Sequence, residues 1–568
     1  MRHILRTIVL ASLFVWSGAA MSQPHLERHG TATQLIVNGK PMLIIGGEMG
    51  NSSASTLADL QRYLPHLHGL GLNTVLVPVC WELIEPQEGQ FDMTSVGNIL
   101  SEARRNDLKV VVLWFGAWKN SMSCYAPEWF KRDTKRFPRA HALNGRPVEE
   151  ASSLSANVLN ADRRAFCHLM QYLKDNDSQE ETVVMVQVEN EIGMIDVPRD
   201  YSADADRLYK EWMAGKLTSL PTGSAGIESE ERFQAWTYAV YAEQIAKAGK
   251  AIYNVPMYVN VALNSRNRKA GEYPSGGPLA HLADIWKTCA PSIDIMGLDL
   301  YDSDYRGWTD LYRMPNTLQP KLYNPLFIPE IRLDDNDAVR ALYAFGHHSA
   351  VGFCPFSIED YPLYKQGSSA PKLSAADLAQ DDQLNAFSPS ADGLSSLAAA
   401  YRLLRQAEPL IISKQGTRDI FGVHLDNDLR EQTIDTPDGI TLTVRHSYSL
   451  GWEPGAKQSP WPEVGCLIIR QSKEDYLVIG SGVVITYAKT SKSSAKRASA
   501  NASSASTTAA PTPKDGERIG LAKCEVVEYR DGKPVILRHL SGDQTHQGRH
   551  VRIPVGQWQM QHFRLYTY

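Results

Sequence analysis

The sequence predicts an α/β protein: a (β/α)8 barrel followed by a C-terminal all-β domain of sandwich or jelly-roll type. Three observations carry the prediction. Apolar, β-branched runs alternate with helical stretches over roughly the first 410 residues. One of these runs, Val183-Val184-Met185-Val186-Gln187-Val188, breaks off into the polar Glu189-Asn190-Glu191. From about residue 417 onward the pattern changes to short alternating runs separated by turn residues.

Taken in order, 34–41 reads as a hairpin with Asn38-Gly39 as its turn. Residues 42–47 form a first barrel strand that leads into Glu48. A helix capped near Ser53 follows, with Leu57, Leu60, Leu64 and Leu67 on one face. Further strands are predicted over 74–78, 109–115 and 183–188. A helix carrying Phe233, Trp236, Val240, Tyr241 and Ile245 is expected to stop at Gly249. The remaining barrel strands fall at 257–261, 293–300, 326–330 and 351–356, and a helix over 394–410 closes the barrel. The organisation expected is therefore a leader at 1–20, a barrel over 30–410 and an all-β domain over 411–568. That last domain is interrupted by a Ser/Ala/Thr/Lys-rich insert at 489–513, whose composition cannot bury a core and predicts disorder.

Composition excludes several function classes. The net charge is −5 and charged residues make up 21% of the chain, which offers no electrostatic footprint for nucleic acid or an anionic membrane. Arg2 and Arg6, the apolar 7–16 and the small residues 17–20 have the layout of a secretory signal, too short to span a bilayer. No later run reaches 18 apolar residues, so no membrane association is expected of the mature chain, and its place is periplasmic or secreted. Seven cysteines lack CxxC spacing and read as buried small hydrophobes rather than a disulfide framework or metal site. His347-His348 has no metal-ligand partner at helical spacing. Neither a cofactor nor a metal is implied.

The chemistry is carried by glutamates at strand ends. In α/β barrels the C-terminal ends of the strands hold the active site. Glu191 ends the fourth strand and Glu330 the seventh, and a pair of carboxylates facing each other across a barrel mouth is the arrangement that glycoside hydrolysis requires. Asn190 can donate to a sugar hydroxyl beside the reacting carbon. Trp118, Trp129 and Trp81 are candidates for stacking on sugar rings or for packing.

These stretches resemble a known family. Gln187-Val188-Glu189-Asn190-Glu191-Ile192-Gly193 is similar to the acid/base motif of glycoside hydrolase family 35, the β-galactosidases, written Q-x-E-N-E-Y-G. Leu35-Ile36-Val37-Asn38-Gly39-Lys40-Pro41, Glu85-Pro86-Gln87-Glu88-Gly89-Gln90-Phe91-Asp92 and Pro329-Glu330 look like further landmarks of that family in the right order. The resemblance spans about 30–410 and implies a retaining enzyme with Glu191 as acid/base and Glu330 as nucleophile. It further implies Tyr301 as the tyrosine that hydrogen-bonds the nucleophile. Glu189, Asn120, Trp118 and Asn260 complete the expected substrate-binding set with Asn190 and Tyr301. Two departures stand out. Ile192 replaces the usual tyrosine, and Gly116-Ala117-Trp118-Lys119-Asn120-Ser121 replaces the strand-three motif that carries a substrate-binding glutamate.

The function expected is a retaining exo-glycosidase that removes terminal β-D-galactosyl residues from plant-type oligosaccharides. The alternatives are the same mechanism on a β-glucoside or an α-L-arabinoside, or a carbohydrate-binding protein with a vestigial barrel.

Overall fold

The computed structural model describes residues 23–264, 267–359, 391–490, 518–530 and 532–568. The leader and nearly all of the expected disordered insert lie outside the described residues.

Eight parallel strands form the barrel: Ile44–Glu48, Thr74–Cys80, Lys109–Phe115, Val183–Gln187, Met257–Val259, a broken sixth strand, Ile328–Ile331 and Gly352–Pro355. The sixth consists of Ile295–Met296 and Asp299–Leu300, and its two pieces sit at opposite ends of the hydrogen-bonded strand order. Closure runs through the break. Gly297 N–H bonds Val259 of the fifth strand at 2.7 Å, and the next amide, Leu298 N–H, bonds Phe327 beside the seventh at 3.1 Å. A Cβ at Gly297 would meet Pro329 Cγ at 2.9 Å, so glycine permits the close approach of strands six and seven.

The strands are continuous apolar runs because both faces are covered. Ile44, Leu76, Val111, Val184, Tyr258, Ile295, Phe327 and Val351, one from each strand or its immediate flank, form a single buried cluster in the barrel. Leu35 and Val37 of the N-terminal hairpin join it. The hairpin is as expected, Ala32–Val37 against Lys40–Met42, with Asn38 and Gly39 both left-handed.

Several helices differ in detail from expectation. The first is Leu57–Gly69, and its cap, expected near Ser53, is Thr56. It buries Leu60, Leu64 and Leu67 and leaves Leu57 exposed. Gly249 does not end its helix, which runs Ile227–Ile252. A Cβ there would lie 2.4 Å from Phe166 Cε1, so this glycine serves close packing against helix Ala156–Asp177 instead of termination. Glu85 of the second-strand landmark is wholly buried and accepts from Trp81 Nε1, Gly89 N and the Arg164 guanidinium, all within 2.8 Å. That landmark is a structural clamp. The closing helix is Ala391–Lys414, and Tyr401 on it donates to the Gly46 and Phe353 carbonyls of strands one and eight.

The C-terminal domain packs a six-stranded antiparallel sheet on a four-stranded one. No unbroken apolar run in the sequence marks strands Ile420–Leu425, Glu431–Asp435 and Val551–Ile553; the alternating runs at 439–446, 465–470, 524–530, 535–540 and 558–568 each form a strand, whereas the run at 476–487, expected as one, is divided at Gly482 into Asp475–Ser481 and Val483–Lys489. Strand alternation explains the apolar density of Val464–Ser472 and Asp475–Ser481. Cys466, Ile468, Tyr476 and Val478 face the second sheet. Leu467, Ile469, Leu477 and Ile479 join the core of the barrel side. Helix Asp337–His347 lies between the two units and approaches Ile420–Leu425 so closely that Gly346 and Gly422 leave no room for side chains. Cys124 is exposed and Cys167 and Cys289 are half-buried, so only four of the seven cysteines behave as buried hydrophobes.

Candidate functional site

The C-terminal ends of the strands gather acidic and amide side chains at the barrel mouth. A carboxylate oxygen from each of Glu191, Asp299 and Glu330 lies within 4.8 Å of the others, and all three residues are buried. Glu191 and Glu330, expected as a pair from the sequence, do face each other.

The fourth strand ends at Gln187, one residue short of the predicted 183–188. Glu189 and Glu191 then adopt left-handed backbone, φ 59° and 46°. Non-glycine residues rarely do so without support. Support is present: Asn190 N–H bonds the Trp118 carbonyl at 3.2 Å, Glu191 N–H bonds Asn260 Oδ1 at 3.0 Å, and Ser121 Oγ donates to the Glu191 carbonyl at 2.8 Å.

Those turns separate the two glutamates. Glu191 points into the mouth, where Asn120 Nδ2 donates to its Oε2 at 2.6 Å. Glu189 turns away, accepts from Trp118 N at 2.8 Å and abuts Asp162 on the helix behind. Burial, with Asp162 alongside, pushes Glu189 well up. Glu189 is therefore a wall residue and not the substrate contact expected of it. Trp118 is corrected for a related reason: its ring is fully buried, edge-on to Tyr238 and Tyr241, and offers no platform to a sugar. Trp81 is likewise core.

The other expected residues come together. Tyr301 donates its hydroxyl to Glu330 Oε1 in a short hydrogen bond. Asn260 braces two strands, accepting from Glu191 N and donating to Asp299 Oδ2 at 2.6 Å. Asn190 Oδ1 accepts from Lys119 Nζ at 3.0 Å, and its Nδ2, wholly buried, has no partner among the described residues.

Four mouth residues were not selected from the sequence: Glu48, Lys119, Asp299 and Glu359. Each is buried, and each follows or ends a strand run, which is the one signal that could have found them. Burial and the neighbouring Glu191 carboxylate push Glu330 up to about 7, against the Lys119 ammonium and the Tyr301 hydroxyl, which hold it down. Asp299 is pushed well up by burial and then by Glu330.

Away from the mouth, Asp310, His347 and His348 bring ligand-type atoms within 4.8 Å of one another, so the histidine pair does have an acidic neighbour, supplied by another helix. His348 Nε2 is already engaged by Thr309 Oγ1 at 3.2 Å and lies 3.5 Å from Asp310.

Residues 58–245 match the family model described as β-galactosidase of glycoside hydrolase family 42, and 397–552 match a domain of unknown function, DUF5597. A β-galactosidase of Xanthomonas manihotis is 27% identical over 221 residues, 37% of this chain and 34% of that protein. The chain thus aligns with about a third of that relative's length. Among solved structures, the β-galactosidase of Bacillus circulans sp. alkalophilus is similar at a TM-score of 0.44 and 13% identity, covering 65% of this chain and 57% of that one. That of Marinomonas ef1 is similar at 0.43 and 14%, covering 64% and 60%. The matched model is that of family 42, whereas the motifs resemble family 35. What the two have in common is the coarser statement that the barrel segment is similar to β-galactosidases.

Proposed function

We propose that this protein is a retaining exo-β-galactosidase that removes terminal galactosyl residues from plant-type oligosaccharides in the periplasm or outside the cell. The observation that carries the reading is the Glu191–Glu330 pair at the ends of strands four and seven, with carboxyl oxygens within 4.8 Å. A retaining enzyme has its carboxyls about 5–5.5 Å apart, whereas inversion needs a wider gap for water. Residues 30–410 are the catalytic unit in this reading, with motifs that resemble those of family 35.

Glu330 attacks the anomeric carbon, with Tyr301 fixing the other oxygen of its carboxylate. Glu191, held by Asn120, protonates the leaving oxygen and later deprotonates water. The unpartnered Asn190 amide donates to the hydroxyl next to the reacting carbon, a contact that strengthens as positive charge develops. The negative mouth favours that charge electrostatically.

The test is a panel of nitrophenyl β-galactoside, β-glucoside and α-L-arabinoside, with NMR observation of the first anomer released. Preferred cleavage of the β-galactoside with β-galactose as first product is expected. Release of the α-anomer overturns retention, preference for another glycoside overturns the sugar, and inertness towards all three overturns the activity.

A further inference from the structure

Glu48 ends the first barrel strand with no exposed surface, and neither of its carboxyl oxygens meets an N–H or hydroxyl donor among the described residues. It faces the Glu330 carboxylate, within hydrogen-bonding range of it. An ionised carboxylate with no donor, buried beside a second one, is among the most costly arrangements a protein interior can hold. Two carboxyls in that position share a proton. The surroundings decide which of them carries it. Glu330 Oε1 already accepts from Tyr301, which favours the ionised form, while Glu48 accepts from no such group.

We propose, resting on the reading of Glu330 as nucleophile, that Glu48 is a positioning residue that donates its carboxylic O–H to the Glu330 carboxylate. The strand-three glutamate of the family-35 motif is absent here, and Glu48 brings a carboxyl group to the mouth from a different strand. Burial, then the Glu330 charge, pushes Glu48 well above the ordinary carboxylate range, consistent with the donor role. The groups facing the pair are Lys119 from strand three, Glu191 after strand four and Tyr258 on strand five. Asp299 and Tyr301 come from strand six, and Cys354 and Glu359 from strand eight. Lys119 is the one cation among them, and its Nζ is 3.0 Å from Asn190 Oδ1.

Glu48→Gln keeps an N–H donor and Glu48→Leu removes it. The acid limb of kcat/KM on the nitrophenyl galactoside should stay near that of the wild type in Glu48→Gln. In Glu48→Leu it should move to higher pH by about one unit or more, because Glu330 loses a donor to its ionised form. A limb that shifts to lower pH in both variants would mean that a negative charge had been removed, so that Glu48 is ionised, and would overturn the proposal. A limb unmoved in both would reduce Glu48 to packing and overturn it as well. Infrared difference spectra give a second readout that needs no turnover and no Leu variant. Wild type minus Glu48→Gln at pH 7 should show a protonated-carboxyl C=O band. Its absence overturns the proposal, whereas a wild type inert towards every glycoside, with the band present, overturns only the reading of the activity.

Discussion

Asn120 donates its side-chain amide to Glu191 Oε2 at 2.6 Å from a backbone that is itself left-handed, φ 49°. One residue thus accepts backbone strain and orients the candidate acid/base. Asn is among the few non-glycine residues that tolerate this conformation. Asn120→Gly keeps the backbone and deletes the donor, so it isolates the hydrogen bond. A bond to a charged group contributes roughly 1.5–3 kcal/mol, and kcat/KM on a galactosyl disaccharide should fall about 10- to 100-fold with little change in melting temperature. A kinetic loss of less than twofold would show that Asn120 does not orient Glu191.

A buried charge at Glu330 should cost stability in a pH-dependent way. Its folded-state value is raised to about 7, above the ordinary 4.5. Below about pH 4.5 both folded and unfolded chains carry the proton, and the residue costs nothing. As pH rises through about 7 the folded chain has to ionise a group that its site disfavours, and the relative stability present at low pH is lost. Glu330→Gln should therefore raise stability by roughly 3 kcal/mol at pH 8 and by almost nothing at pH 4. Thermal melts of both proteins across that range give the answer. An equal gain at both ends would show that the gain does not come from ionisation. The same value predicts that wild-type kcat/KM declines as pH falls below about 7.

Gly249 tests the packing argument by sign. Glycine to alanine inside a helix usually stabilises by about 1 kcal/mol. Here the added carbon would meet Phe166 Cε1 at 2.4 Å and Met170 Cγ at 3.1 Å, both on the neighbouring buried helix. Overpacking of a close helix pair costs about 1–3 kcal/mol, which outweighs the propensity gain. Gly249→Ala should lower the denaturation midpoint; a raised midpoint would show that the two helices yield easily.

How far the site was legible depends on what each residue's signal was. Glu191 and Glu330 could be read because a polar residue ending an apolar strand run is conspicuous and two of them suggest a reaction. The barrel followed from the same runs, since strands covered on both faces cannot alternate. Trp118 misled because an indole suits a sugar face and a buried core equally. Glu189 misled because strand periodicity puts residues two apart on one face, which would send Glu189 and Glu191 the same way. The left-handed turns at both positions break that rule, and nothing in the residue types announces them. Glu48, Asp299 and Lys119 stand at strand ends too. Their importance comes from closure of the ring, which brings strands one, three and six to the fourth and seventh. No local spacing records that closure. The short strands at Glu431–Asp435 and Val551–Ile553 were missed because partly exposed edge segments lack apolar density.

The roles of the two glutamates are separated by what azide does to each variant. Glu330→Gly removes the group that would form the covalent intermediate, so hydrolysis should cease for every leaving group. Azide is small enough to enter the vacated space and attack from that face, restoring some turnover and giving a glycosyl azide of inverted configuration. Glu191→Ala leaves the nucleophile in place. A nitrophenyl leaving group needs little protonation, so formation of the intermediate should survive better with it than with a natural disaccharide. Breakdown of the intermediate should then be slow, because no base activates water, and azide, which needs none, should speed that step and give a product of retained configuration. The motivating geometry is asymmetric. Tyr301 holds Glu330 by hydroxyl donation, as suits a carboxylate that must attack as an anion, while Asn120 holds Glu191 by one oxygen and leaves the other for proton transfer. Swapped product configurations would exchange the roles. Loss of less than about tenfold in both variants, roughly 1.4 kcal/mol of barrier, would remove both residues from the chemistry.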